Sequence, residues 1–147
     1  MTRSEIVSAA GEWIGTPYRH QASRKAVGAD CLGLVRGVWR TCVGPEPEMP
    51  SPYTADWAEK TGDDLLLQAA RRHLVERIVE QADQGDVLVF RMSTGVPAKH
   101  CAILIEGTVH GGRILHAYWG RSVCVTRLVP WWTRRIAGAF SFPNLED

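Results

Sequence analysis

Apolar residues recur at helical spacing through the first half of the chain and gather into short continuous runs in the second half. Thr2-x-x-Glu5 has the form of a capping box, and Ile6, Val7, Ala10, Trp13 and Ile14 follow on one helical stripe, which predicts a helix from about Ser4 to Ile14. Gly15-Thr16-Pro17 ends it, because glycine and proline both break helices. Residues 18–29 are polar, contain glycine and show no period, so they read as a loop. A second helix begins at Asp30 or Cys31, with Asp30 as N-cap and Leu32, Val35, Val38, Trp39 and Cys42 as its buried stripe. Gly33 and Gly37 lie four apart on one face and predict close approach by another backbone. The stretch from Gly44 to Pro52, rich in proline, reads as a surface connection. A third helix is predicted from Asp63 to Leu74, with Leu65, Leu66, Ala69 and Ala70 turned inward.

Beyond Gly85-Asp86, which reads as a turn, the pattern becomes that of strands. Val87–Phe90 and Cys101–Ile105 are short apolar runs suited to buried strands, and a turn between Gly107 and Gly112 leads back into a third at Ile114–Trp119. Val123–Val125 and Ile136–Phe142 supply a fourth and a fifth, with Trp131 and Trp132 on a short turn between them. Helices followed by an antiparallel meander define an α+β fold, here N-terminal helices packed on a five-stranded antiparallel sheet. A length of 147 residues predicts one domain over 1–147.

Charge and composition narrow the function. With 17 Lys and Arg against 16 Asp and Glu the net charge is +1, which offers no electrostatic case for nucleic acid as the main partner. The basic pairs Arg71-Arg72 and Arg134-Arg135 read as solvated faces. No run approaches the ~18 apolar residues of a membrane span, so no membrane insertion is predicted. Glu5 stands where a secretory apolar core would begin, so the chain is expected to be made in the cytoplasm without a signal peptide. The 4 cysteines form neither a C-x-x-C motif nor a disulfide framework, and no metal ligand spacing or cofactor motif is present.

One cysteine differs from the others. Cys31 sits at the predicted first turn of a helix, where unpaired N–H groups and the helix dipole favour a thiolate. His100 opens one predicted strand and His116 lies inside the next, so an antiparallel hairpin can set the two rings side by side. A thiol needs a base, and the base needs a group to fix its tautomer. Cys31 is therefore the candidate nucleophile, His100 the base and later acid, and His116 the orienting group. His20 and His110 are placed in loops, His73 on a polar helix end, and Cys101 is read as structural.

Five segments in order resemble the NlpC-type cell-wall cysteine peptidases: Gly15-Thr16-Pro17-Tyr18, Asp30-Cys31-x-Gly33-Leu34, Gly85-Asp86-Val87-Leu88-Val89-Phe90, His100-x-Ala102-Ile103 and Leu115-His116-Ala117. The resemblance runs from Trp13 to Phe142 and looks most like the branch encoded by tailed phages and gene transfer agents. It implies a papain-like fold, with Cys31, His100 and His116 matching the nucleophile, base and third polar residue. Tyr18 matches the tyrosine lining the oxyanion site, where it would act with the backbone N–H of Cys31. Asp30 matches an acidic residue that, in wall-recycling members, helps bind the free amine of an N-terminal L-alanine. Those members carry a serine after the nucleophile where this chain has Leu32, and residues 20–28 lack their Gly-Gly.

The implied activity is hydrolysis of a peptidoglycan stem peptide at the γ-D-glutamyl to diaminopimelate bond, a DL-endopeptidase needing no cofactor. The implied setting is a phage-like particle acting on the cell wall in the periplasm, with tail or baseplate proteins as partners. Two other readings stay open ahead of a third, a bare zinc-binding module, which metal analysis would dismiss. One is an N-acetylmuramoyl-L-alanine amidase or an acyltransferase on the same scaffold. The other is a mainly structural tail or baseplate component, with Trp57, Trp131 and Trp132 serving either docking or packing.

Overall fold

The computed structural model of the chain describes residues 1–47 and 64–147. Helix α1 spans Arg3–Gly11 and opens with the expected capping box, Thr2 accepting from the Glu5 backbone N–H and Glu5 accepting from that of Thr2. It ends at Gly11 rather than at Ile14. Beyond Gly11 the N–H groups of Trp13, Ile14 and Thr16 each bond three residues back, which tightens the chain into turns and leaves Ile14 55% exposed. The segment read as a loop contains a small hairpin, β1 (Ser23–Arg24) with β2 (Gly28–Ala29), and Tyr18 bridges to Ala29 alongside it. Strands of two residues have no room for an alternating pattern, so periodicity could not find them.

Helix α2, Cys31–Cys42, begins where expected. Helix α3 spans Leu65–His73 and buries Leu66, Leu67 and Ala70, while Leu65 is 43% exposed, so the inward face is rotated by about one residue from the expected one. The predicted start at Asp63, the end of the proline-rich connection and Trp57 lie outside the described residues.

Among the described residues the main sheet has six strands, not five. In chain order they are β3 (Val75–Arg77), β4 (Val87–Phe90), β5 (His100–Glu106), β6 (Arg113–His116), β7 (Cys124–Arg127) and β8 (Ile136–Ser141). Their order across the sheet is β3-β8-β4-β5-β6-β7, all antiparallel. Strand β3 escaped the sequence reading because its three residues are all exposed and carry no apolar run. Strand β6 stops at His116, well short of Trp119, which is 67% exposed. The turn expected at Trp131 and Trp132 is a one-turn helix, α4 (Pro130–Thr133), started by Pro130 and burying Trp132.

The sheet carries a core on each face. Val87, Val89, Cys101, Ile103, Leu115 and Phe140 pack against the helices, with Leu34 and Val38 of α2 among them. Leu88, Phe90, Ala102, Leu104 and Ile114 face the other way, against Leu128 and Trp132. Between β5 and β6 the pairing Ile103–Leu115 and Leu104–Ile114 shifts by one at Glu106–Arg113, leaving Ile105 as a β-bulge. Carrying the Ile103–Leu115 pairing one residue onward sets His116 opposite Ala102, on the same face as His100.

The two glycines of α2 are used differently. A Cβ at Gly33 would lie 1.8 Å from the backbone oxygen of Ala22, and Ser23 Oγ donates to the Gly33 carbonyl at 2.6 Å, so the β1–β2 hairpin presses directly on the start of α2. A Cβ at Gly37 would instead meet the Trp13 ring at 2.0 Å, so an indole rather than a backbone occupies that notch. Gly33→Ala is expected to lower stability by about 1–3 kcal/mol, because the obstacle is backbone that cannot rotate away. Urea denaturation would show it, and an unchanged midpoint would mean that the hairpin is not held against α2.

Candidate active site

Cys31 is the first residue of α2 and is 7% exposed. Asp30 ahead of it has extended backbone, and its Oδ1 accepts the Gly33 N–H at 2.8 Å, the N-cap bond that fixes where the helix starts. Its Oδ2 accepts the Gln21 N–H at 2.8 Å, and His20 Nδ1 stands 3.9 Å from the same oxygen. With both oxygens held by backbone donors and the residue 3% exposed, Asp30 is built into the helix start.

The Cys31 thiol is lowered to about 5. Hydrogen bonding from the Cys101 thiol is the largest cause; burial opposes it, and hydrogen bonding and charge from His100 add to the lowering, while the Asp30 charge works against it. Cys101 is pushed well above an ordinary thiol by the same contact and by burial, so it remains protonated and acts as the donor.

His100 Nε2 lies 2.8 Å from His116 Nδ1, and both rings are buried. With Nε2 engaged, Nδ1 is the ring nitrogen of His100 left for the thiol. His116 is lowered to about 3, by burial first and by the charge of His100 second, so it stays neutral above that range. Its Nε2 lies 2.8 Å from Thr126 Oγ1. Aromatic rings enclose the pair: Trp132 sits with its centroid 5.6 Å from His100 and 5.2 Å from His116, Tyr118 lies 5.5 Å from His100, and Phe90 lies 5.8 Å from it.

Tyr18 is held next to the helix start by its bridge to Ala29. Its phenol is pushed up to about 12 by burial and then by the charges of Asp30 and Cys31, which keeps it protonated and able to donate. The exposed Trp119 ring stands 5.7 Å from it.

Cys31, His100, His116, Asp30 and Tyr18 are thus brought into one region. The other histidines lie apart from it, or beside it through Asp30: His110 pairs with Glu80 at 2.5 Å, His73 ends α3, and His20 stands at Asp30. Among the described residues no three His, Cys, Asp or Glu side chains gather as a metal-ligand set. Sequence reasoning missed Cys101, Thr126 and the aromatic shell. In the structure Cys101 faces the helices, and the start of α2 on that side brings Cys31 to it.

The model of the NlpC/P60 family matches residues 15–140. No curated protein sequence matches the chain at a significant level. Among solved structures, the chain is similar to the NlpC/p60 domain of the peptidoglycan hydrolase SagA, at 27% identity and a TM-score of 0.66 over 97% of this chain and 100% of that one. It also resembles an NlpC/P60 family protein from Bacillus cereus (19% identity, TM-score 0.68, 97% of this chain and 40% of that one). A third is a lipoprotein-like NLP/P60 protein from Staphylococcus aureus (23% identity, TM-score 0.66, 99% of this chain and 42% of that one). The chain therefore spans the whole of the SagA domain and about two fifths of the other two.

Removing the Cys101 thiol takes away the largest lowering influence on Cys31. In Cys101→Ala the midpoint of the pH dependence of Cys31 alkylation by iodoacetamide is expected to rise from about 5. A midpoint unchanged from wild type would show that His100 alone sustains the thiolate.

Proposed function

The chain belongs to the NlpC/P60 family, and on that premise we propose that it is a cysteine peptidase cutting peptidoglycan stem peptides, with Cys31 as nucleophile, His100 as general base and acid, and His116 as the residue that orients His100. The observation that carries this reading is a lowered, buried thiol served by one member of a hydrogen-bonded histidine pair. A thiol that ionises near pH 5 is largely thiolate at neutral pH, and the adjacent imidazole takes the proton.

In the proposed reaction the Cys31 sulfur bonds to the carbonyl carbon of the scissile amide, and the carbonyl electrons move onto oxygen. The oxyanion accepts from the Cys31 backbone N–H, which the first helical turn leaves without a partner inside the helix, and from the Tyr18 phenol. Collapse breaks the C–N bond as His100 protonates the leaving amine, giving a thioester. Water then loses a proton to His100, attacks the thioester carbon and releases the new carboxylate, returning Cys31 to its starting state.

The bond proposed is the γ-D-glutamyl to diaminopimelate link. The resemblance to the phage and gene-transfer-agent branch supplies the proposed setting, in which a particle brings the domain to the wall and tail or baseplate proteins are its partners. Asp30 is assigned here to holding the start of α2. Its two backbone bonds and the alkyl side chain of Leu32 argue against a built receptor for a free L-alanine amine.

Digestion of diaminopimelate-type peptidoglycan by wild type and Cys31→Ala, followed by mass spectrometry, tests the reading. Cysteine-dependent fragments with a new diaminopimelate amine are expected. A new terminus at the L-alanine would move the assignment to an amidase, and product formation by Cys31→Ala would overturn the mechanism. Tyr18→Phe should lower kcat by roughly 10²-fold, as loss of one oxyanion donor does, with KM little changed. A kcat equal to wild type would remove Tyr18 from the oxyanion site.

A further inference from the structure

The histidine pair continues into a residue that neither the motifs nor the reaction above requires. Thr126 lies on β7, the edge strand beside β6, and its Oγ1 stands 2.8 Å from His116 Nε2. In the β6–β7 register His116 is opposite Cys124 and Ile114 is opposite Thr126, so Thr126 reaches His116 diagonally across one face of the sheet. Val125 and Arg127 point outward, while Cys124 and Thr126 are half-buried against the site.

The ring of His116 is 1% exposed, so both of its nitrogens need protein partners, and they have one each: His100 at Nδ1 and Thr126 at Nε2. A neutral imidazole has one N–H and one lone pair, so two tautomers fit the pair of contacts. Only one of them serves a base. When His100 holds the proton taken from Cys31, both of its nitrogens are donors, and its Nε2–H must find a lone pair on His116 Nδ1. His116 then carries its proton on Nε2 and must donate it to Thr126 Oγ1. The threonine hydroxyl can accept there because its own proton has another direction to take, Cys124 Sγ at 4.0 Å. Valine has the same branched shape and suits a strand at least as well, so neither packing nor strand propensity calls for the hydroxyl.

We propose that Thr126 is a positioning residue that selects the Nε2–H tautomer of His116 and thereby keeps a lone pair aimed at His100. This rests on the reading of Cys31 and His100 as a nucleophile–base pair, and it adds a fourth member that acts through His116 without touching substrate.

The experiment compares wild type, Thr126→Val and Thr126→Ser by ¹⁵N NMR of the histidine rings, by the midpoint of the pH dependence of Cys31 alkylation, and by kcat and KM on stem peptide. Wild type is expected to show His116 as the Nε2–H tautomer. Thr126→Val should lose that tautomer, raise the alkylation midpoint by about one pH unit and slow kcat by about tenfold, the size of one net hydrogen bond, with KM unchanged. Thr126→Ser should restore all three, which a purely structural role for the methyl group would not do. The proposal is overturned if His116 in wild type carries its proton on Nδ1, or if Thr126→Val folds and keeps the wild-type alkylation midpoint and kcat. Should Thr126→Val fail to fold, the wild-type tautomer and the Thr126→Ser rates decide. Hydrolysis surviving in Cys31→Ala would count against the nucleophile assignment instead, and the NMR result stands apart from that.

Discussion

A charged sulfur has to be sustained where only 7% of the residue meets solvent, and the arrangement of the site follows from that constraint. Burial alone would push the Cys31 thiol upward. What reverses it comes from two directions, the Cys101 thiol and His100, with the start of a helix behind the sulfur. Each depends on a different piece of chain being in place. Asp30 decides which residue is first in α2, the β1–β2 hairpin is pressed on that turn through Gly33, and β5 brings Cys101 and His100 as consecutive residues. The hairpin and the N-cap are thus as much part of the thiolate's environment as its hydrogen-bond partners are.

The polar chain from His100 through His116 to Thr126 is laid into an apolar wall. Trp132 lies against Phe90, His100, His116 and Tyr118 at centroid separations of 5.2 to 5.6 Å. Excluding water strengthens each bond of such a chain and raises the cost of any member left without a partner. Among the described residues every buried side-chain nitrogen and oxygen has a partner. The same enclosure that lowers His116 to about 3 removes it from proton exchange in the neutral range, leaving it as a fixed dipole rather than a second base.

What could be read from the sequence was what depends on local pattern. The cap of α2, the hairpin joining β5 and β6, and the meeting of two histidines across it follow from side-chain chemistry and a period of two. Features made by contact between distant segments were hidden. Strand β3 is exposed along its whole length and exists because β8 offers it a partner. Trp132 lay on what read as a turn, with nothing local to say that its ring closes over residues from other strands. Thr126 fell just outside the strand expected over Val123–Val125, and its contact with His116 depends on a register across β6 and β7. Cys101 was read as structural, and its contact with Cys31 depends on how the helix is placed over the sheet.

The bulge at Ile105 gives the spacing of the two histidines an arithmetic meaning. Had the Glu106–Arg113 pairing run straight through, His116 would stand opposite Ile103, on the side of the sheet that faces the helices, and His100 would have no partner. Ile105 therefore takes up the one odd residue of the hairpin, so that the Glu106–Arg113 pair near the turn and the Leu104–Ile114 pair nearer the site coexist in one ladder. Its deletion would leave those pairs in place as a regular ladder with His116 still opposite Ala102, whereas a slip that drew Ile105 into pairing would turn His116 away from His100. What the histidine pair depends on is thus that residue 105 stays out of the ladder, and its side chain is free to change.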